Sequence, residues 1–253
     1  MKKIALITGA TSGIGKAIAQ KMAAENKYDL ILTGRRAERL KELKRDLEKN
    51  GTKVKTLSFD ICNQKDVFKA IQSLPEDWCS IDILVNNAGL ASGLDPIDLG
   101  NIEDWEKMID TNIKGLLYVT RSIVPLMKKK GRGHIINIGS IAGKEVYANG
   151  NVYCATKHAV DALTKAMRID LLSSGIKVSQ VCPGAVETEF SVVRFHQDAD
   201  RAATVYKGYE PLKGDDIATC VLFILSLPQH VNINDMVVMP TAQANSSNFY
   251  KKL

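Results

Sequence analysis

Tyr153 and Lys157 stand four residues apart in Tyr153-Cys154-Ala155-Thr156-Lys157. On a helix that spacing puts phenol and ammonium on one face, a single turn apart. Ser140 precedes them by thirteen residues, just after the apolar run His134 to Ile138. A free phenol titrates near pH ~10, and bringing it to about 7 takes ~4 kcal/mol of preference for the phenolate. A neighbouring ammonium is the available source of that preference. A serine hydroxyl is a neutral partner for an oxygen on which charge develops. The set suits hydride transfer to a carbonyl, whose oxygen gains charge and then needs a proton. Isolated Tyr-x-x-x-Lys pairs are frequent by chance. This one gains meaning from the serine at a strand end and from a second constellation near the N-terminus.

That constellation is Gly9, Thr11, Ser12, Gly13, Ile14 and Gly15, lying between the β-rich run Ile4 to Ile7 and a helically spaced segment. Glycines there let the backbone turn sharply and approach a pyrophosphate, and the helix N-terminus offers free N–H groups and a positive dipole end. A dinucleotide loop of this kind is normally followed, about 20 residues on, by a carboxylate for the ribose 2′-hydroxyl. Here the second strand ends in Gly34-Arg35-Arg36, with no acid. Guanidinium groups at that point suit a 2′-phosphate, which predicts NADP(H) rather than NAD(H). The alternative is that Arg35 and Arg36 merely begin a solvated helix. Asp60, at the end of the third strand, is placed to accept from an adenine amino group, although Asp is also a common turn residue.

The elements that must position these groups are legible as apolar runs. Strands are predicted at Ile4–Ile7, Leu30–Leu32, Val54–Phe59, Ile81–Val85, His134–Ile138, Lys177–Val181 and Met236–Val238. Amphipathic stretches separate them, for example Leu40, Leu43 and Leu47 among Lys, Arg and Glu. Strands alternating with helices predict right-handed crossovers and an α/β fold with a parallel sheet covered on both faces. The 253 residues suit one dinucleotide-binding and catalytic domain over 1–253. The least regular stretch runs from about 184 to 214 and reads as a functional lid or a partly disordered segment. The tail from Gln243 to Leu253 is polar except for Phe249-Tyr250, and reads as frayed or docked on a partner subunit.

Composition excludes several classes. Hydrophobic residues make up 45% and charged residues 25%, as in an ordinary globular chain and unlike a disordered or collagenous one. No apolar run approaches the ~18 residues of a bilayer span, and the run after Met1-Lys2-Lys3 breaks at Thr8-Gly9, too early for a signal core. The 34 Lys and Arg against 28 Asp and Glu leave +6, compatible with a nucleic-acid partner, an anionic small molecule or an ordinary solvated surface. The only compact basic run, Lys128 to Arg132, ends a helix and has no aromatic platform, so no nucleic-acid or membrane partner is expected. Five scattered cysteines without a C-x-x-C pair point to reduced thiols and a cytoplasmic home. His134, His158, His196 and His230 show no ligand spacing, so no metal is expected.

Thr8-Gly9-x-x-x-Gly13-Ile14-Gly15, Asn86-Asn87-Ala88-Gly89, Ser140, Tyr153-x-x-x-Lys157 and Pro183-Gly184 together resemble the short-chain dehydrogenase/reductase family over essentially the whole chain. The resemblance implies a doubly wound Rossmann fold whose seven strands are ordered 3-2-1-4-5-6-7. It implies a catalytic tetrad of Asn112, Ser140, Tyr153 and Lys157, with Asn112 holding a water in a proton relay to Lys157. It places Asn86 to Gly89 along the cofactor, together with Ile61, Tyr153, Lys157, Pro183, Gly184 and Val186, and sets Thr188 at the nicotinamide carboxamide. Finer likeness, in Glu103–Glu106, Met108–Asn112, Gly133–Ser140, Thr188–Ser191 with Val193–Phe195, and Leu227-Pro228 with His230–Asn234 and Met239-Pro240, is to NADP-dependent 3-hydroxy acid dehydrogenases. Those oxidise serine, allo-threonine and similar acids, or reduce the semialdehydes, as homotetramers built partly on two long helices, here near 101–130 and 150–173. An acid substrate needs a cation near the nicotinamide, and Arg194 is the candidate, with Ser140 as its neutral companion. Lys144-Glu145 departs from the family pattern: one would attract an acid and the other repel it, and the sequence leaves open which faces inward. Two rival readings remain, a reductase of larger ketones or 3-oxoacyl thioesters, and a non-catalytic nucleotide- or nucleic-acid-binding scaffold.

Overall fold

The computed structural model describes residues 2–252. Its strands are β1 (Lys3–Ile7), β2 (Tyr28–Gly34), β3 (Val54–Ser58), β4 (Ile81–Asn86), β5 (Gly133–Ile138), β6 (Ile176–Pro183), β7 (Val186–Glu187), β8 (Leu212–Lys213) and β9 (Asp235–Val238). The helices are α1 (Gly13–Ala24), α2 (Ala37–Glu48), α3 (Gln64–Gln72), α4 (Ile102–Ile109), α5 (Leu116–Lys130), α6 (Asn151–Asp170), α7 (Phe190–Arg194), α8 (Ala199–Thr204) and α9 (Gly214–Ser226). Seven strands form one sheet in the order β3-β2-β1-β4-β5-β6-β9, each pair parallel. The expected seventh strand is thus the ninth in the chain, since β7 and β8 form a small parallel pair of their own.

Successive residues of a strand face opposite sides, and the core divides accordingly. Ala5 and Ile7 of β1 pack with Ile18 and Met22 of α1, the leucines of α2 and Ile217, Val221 and Ile224 of α9. Leu6 faces the other layer, with Val67 of α3, Val119, Ile123 and Met127 of α5, and Val160 of α6. Because β1 is flanked by β2 on one side and β4 on the other, chain direction across the sheet reverses there. The loops after β1 and β4 diverge and leave a crevice at the carboxyl edge, where ligands of such sheets bind.

The long helix expected near 101–130 is α4 and α5 joined through a π-helical turn at Asp110–Gly115. Such turns insert an extra residue into the helix and are frequent at functional sites. Lys130, from the basic run, donates to Asp82 at 2.5 Å and to the Ser80 carbonyl at 3.0 Å, so that run is partly tied to the body. Within the 184–214 stretch lie β7, α7, α8 and β8, each two to six residues long and too short to show a period. The tail folds back on its own chain. Tyr250 N donates to the Ala242 carbonyl at 2.8 Å, Lys252 N to the Gly208 carbonyl at 2.7 Å, and Ser246 N to Glu145 at 2.8 Å. All five cysteines are unpaired. No helix among the described residues is long and apolar enough to cross a membrane.

Buried polar groups tie the two strands beneath the crevice to their helices. Asn86 Nδ2 donates to Thr120 Oγ1 at 3.0 Å and to Asn137 Oδ1 at 2.9 Å, and Asn137 Nδ2 donates to Thr164 Oγ1 at 2.8 Å. One chain of bonds thereby links β4, β5, α5 and α6. Asn137 is fully buried, so Asn137→Ala leaves Asn86 and Thr164 short of partners at a cost of about 1–3 kcal/mol each. Urea unfolding should show the loss; an unchanged midpoint would contradict the role given to this network.

Candidate active site

The glycine loop is held by contacts that leave no room for side chains. Gly9 has φ +66°, and a Cβ there would lie 2.9 Å from Ala88 Cα; one at Gly15 would lie 2.5 Å from the Gly9 carbonyl oxygen. Thr8 is the pin between the two loops. Its Oγ1 donates to the Val85 carbonyl at 3.3 Å and accepts from the amides of Asn87 and Ala88, both at 3.0 Å. Asn87 Nδ2 completes the clamp on the Thr8 carbonyl at 2.9 Å. The N-terminus of α1 opens beside it: Ser12 makes no side-chain cap, and no acidic residue lies in the first turn. Uncapped N–H groups and a positive dipole end there await an anion.

Every residue expected to bind cofactor, except Gly15 and Asn86, lines one cleft of about 340 Å³. Gly15 lies behind the loop and keeps it thin. Thr188 packs over Gly13, whose Cβ would come within 3.2 Å of it. The cleft also takes in Glu189, Phe190, Val193 and Leu90, which sequence reasoning missed; only the aromatic character of Phe190 marked that stretch. Asn86 was expected along the cofactor but is buried in the network between β4, β5 and α5, because alternate strand residues face opposite ways. Asp60 accepts from Cys62 N at 3.0 Å, a turn role, and also sits 3.8 Å from Arg35.

Tyr153 and Lys157 emerge on one face of α6, both buried. The Lys157 ammonium donates to the Ile138 carbonyl, the last of β5, at 3.0 Å. Ser140 caps the short turn after β5 by accepting from Ala142 N at 3.0 Å. Asn112, in the π-helical turn, accepts from Leu90 N at 2.9 Å and donates to the Leu90 carbonyl at 2.8 Å and Thr156 Oγ1 at 3.0 Å. Both its donors are occupied, which gives this side chain a positioning role. It fastens the turn to the loop after β4 and to α6. Behind Tyr153 lies a much smaller cavity that Arg194 and Asp104 also line.

A model of the short chain dehydrogenase family matches residues 3–199. The chain belongs to that family. Over 99% of its length it is 44% identical to the NADP-dependent 3-hydroxy acid dehydrogenase of Schizosaccharomyces pombe, covering 97% of that protein. It is 47% identical to the like-named protein of Salmonella typhi, covering 95% of this chain and 96% of that one. The closed form of a serine dehydrogenase complexed with NADP+ superposes with a TM-score of 0.92 at 43% identity, covering 99% of this chain and 100% of that one.

In this short chain dehydrogenase the site's electrostatics follow from burial. Burial raises the Tyr153 phenol above its usual range, opposed by the Ser140 hydroxyl and the Arg194 charge, so the phenol carries its proton at neutral pH. Burial pushes Lys157 down to about 8, toward the edge of neutrality. The question left open over Lys144 and Glu145 closes. Lys144 bonds Asp161 and Asp235, Glu145 holds the tail through Ser246, and neither lines the cleft.

A lysine at about 8 folded and 10.5 unfolded weakens the fold by about 3 kcal/mol below pH 8. Between those values the unfolded chain binds more protons, so this group's contribution to stability rises with pH. Lys157→Met should therefore exceed the wild type in stability by most at pH 7, with the advantage shrinking from about pH 8 to 10.5. Denaturant unfolding at pH 7 and pH 10 checks this; a difference independent of pH would contradict it.

Proposed function

We propose that this chain is an oxidoreductase that transfers a hydride between NADP(H) and a short 3-hydroxy acid or its 3-oxo form. The named relatives, similar over nearly their whole length, support the reaction class. The observation that carries the acid is Arg194. Its Nε donates to the Gly93 carbonyl at 3.2 Å and its Nη1 to Tyr147 Oη at 3.0 Å, while Nη2 is buried with no partner. A buried donor without an acceptor costs about 1–3 kcal/mol. The guanidinium also lies 5.6 Å from the centre of the Tyr153 ring, which puts an unmet cation beside the proton donor. A carboxylate two carbons from the reacting hydroxyl supplies the missing acceptor, in a charge-assisted bond.

The residues that would hold the cofactor are those of the cleft. The pyrophosphate would lie against the loop from Gly9 to Gly15 and the uncapped α1 terminus, the adenosine against Arg35, Arg36, Asp60 and Ile61. The nicotinamide would lie against Asn87, Ala88, Gly89, Pro183, Gly184, Val186 and Thr188. When bound, the cofactor supplies or accepts the hydride. Tyr153 would then donate its proton to the carbonyl oxygen in reduction; in oxidation it would first give up that proton to solvent and, as the phenolate, take the proton of the hydroxyl. Ser140 donates to the same oxygen as charge gathers there. Lys157, one turn along α6, would favour the phenolate that Tyr153 becomes and would hold the cofactor's ribose. The segment from 184 to 214 acts as the lid over this chemistry.

The assembly is proposed to be a homotetramer in the cytoplasm. Exposed Ile102, Ile109 and Leu117 on α4 and α5, with Ile169 at the end of α6 and Leu172 in the turn after it, support subunit contacts on both long helices. The free thiols support a reducing compartment. A monomeric mass by light scattering would contradict the assembly.

Tyr153→Phe should lose at least tenfold in turnover while cofactor affinity stays within about twofold. A variant retaining more than a tenth of the wild-type rate would remove Tyr153 from the reaction. A panel of short 3-hydroxy acids, with NADP and NAD in parallel and a bulky neutral ketone as control, tests the substrate. Arg194→Met should raise KM for the acids about tenfold to a hundredfold and leave the neutral ketone unaffected. Equal losses on both substrates would mean that Arg194 only supports the fold. Turnover of the ketone alone would favour a reductase of larger carbonyls.

A further inference from the structure

Glu189 joins the lid to the adenosine end of the cleft, 150 and 153 residues away in the chain. Its two carboxylate oxygens accept from Arg36 Nη1 at 2.8 Å and Arg39 Nη1 at 2.7 Å. Arg36 has no nitrogen left over. Its Nε and Nη2 donate to Thr11 Oγ1 at 3.1 and 2.9 Å, and Nη2 also donates to Ser12 Oγ at 2.6 Å. Arg35, by contrast, makes only the 3.8 Å contact to Asp60 and is 62% exposed. Of the two guanidinium groups where the sequence places a 2′-phosphate, one is therefore already neutralised by a carboxylate of the lid. Thr188, next to Glu189, lies over Gly13, so this ion pair bridges the mouth of the cleft directly above the glycine loop.

We propose that Glu189 is a clasp which competes with the adenosine 2′-phosphate for Arg36 and Arg39, so that the phosphate releases this corner of the lid as it binds. The inference rests on the NADP reading above and adds a regulator of it. A phosphate monoester carries close to two negative charges at neutral pH and three acceptor oxygens, against one charge and two oxygens for Glu189. Bidentate guanidinium geometry suits either anion, and two anions on one guanidinium repel. The carboxylate thus holds the arginines in place for the phosphate and weakens the phosphate's hold on them. A cofactor lacking the phosphate leaves the clasp shut.

Glu189→Gln keeps the shape and removes the charge, at a half-exposed position where folding is not at risk. Adenosine 2′,5′-bisphosphate and 5′-AMP are the probes, titrated calorimetrically into the full chain. The wild type should prefer the bisphosphate; the variant should bind it about threefold to tenfold more tightly, with 5′-AMP affinity unchanged. Amide exchange across residues 188–195 supplies the second readout. It should quicken in the wild type when the bisphosphate binds, and be fast from the start and unresponsive in the variant. If the wild type binds both nucleotides alike, the NADP reading itself fails and takes this inference with it. If the wild type prefers the bisphosphate but Glu189→Gln binds it no more tightly, or exchange at 188–195 does not respond, the clasp alone is overturned.

Discussion

The hydroxyl of Thr8 sits where β1 and β4 part company, and the site is built outward from it. It donates once and accepts twice, satisfying the Val85 carbonyl and the amides of Asn87 and Ala88 at the point where two loops turn away from each other. Buried backbone groups must find partners: the Ala88 amide finds its own in this side chain, while the Val85 carbonyl and the Asn87 amide gain a second contact beside their backbone bonds. With both loops pinned, the glycine turn is thin enough for a dinucleotide to approach, and the α1 terminus faces the gap uncapped.

A second fixed point governs the other half of the cleft. Asn112 binds the loop after β4 at Leu90 and helix α6 at Thr156, and it can do so because the π-helical turn brings its side chain inward from the long α4–α5 run. Thr156 stands between Tyr153 and Lys157, so the hydrogen bond sets the height of that pair against the loop that lines the cleft. Lys157 is then tied to the end of β5. Four elements share the positioning of two side chains, which keeps costly burial of a phenol and an ammonium from being relieved by movement.

Charge shows the same division between display and support. Of the +6 excess, Lys130 ties α5 to Asp82, Lys144 bridges α6 and β9 through Asp161 and Asp235, and Arg168 holds backbone carbonyls of Val178 and Asn234. These cations are occupied within the fold. Arg35 and the buried Nη2 of Arg194 are incompletely paired; Arg35 lines the large cleft and Arg194 the small cavity behind Tyr153.

The seven strands of the large sheet, their parallel arrangement and the placing of Tyr153 and Lys157 on one helix face were legible in the chain because each depends on spacing over a few residues. Periods of two and four, a glycine cluster after a strand, and two arginines in place of an acid are local facts. What only the tertiary structure decided involves residues far apart or elements too short to have a period. Glu189 meets Arg36 across 153 positions, and Tyr147 meets Arg194 across 47. Asn86 turns away from the cleft, although it adjoins Asn87, because adjacent strand residues point to opposite faces. Lys144 and Glu145 were left undecided by type alone and are both taken up elsewhere in the fold. The chemistry was written in the spacing of residue types. Which charges remain free to meet a ligand was settled by packing, since a charge is free only after every neighbour brought by the fold has found its own partner.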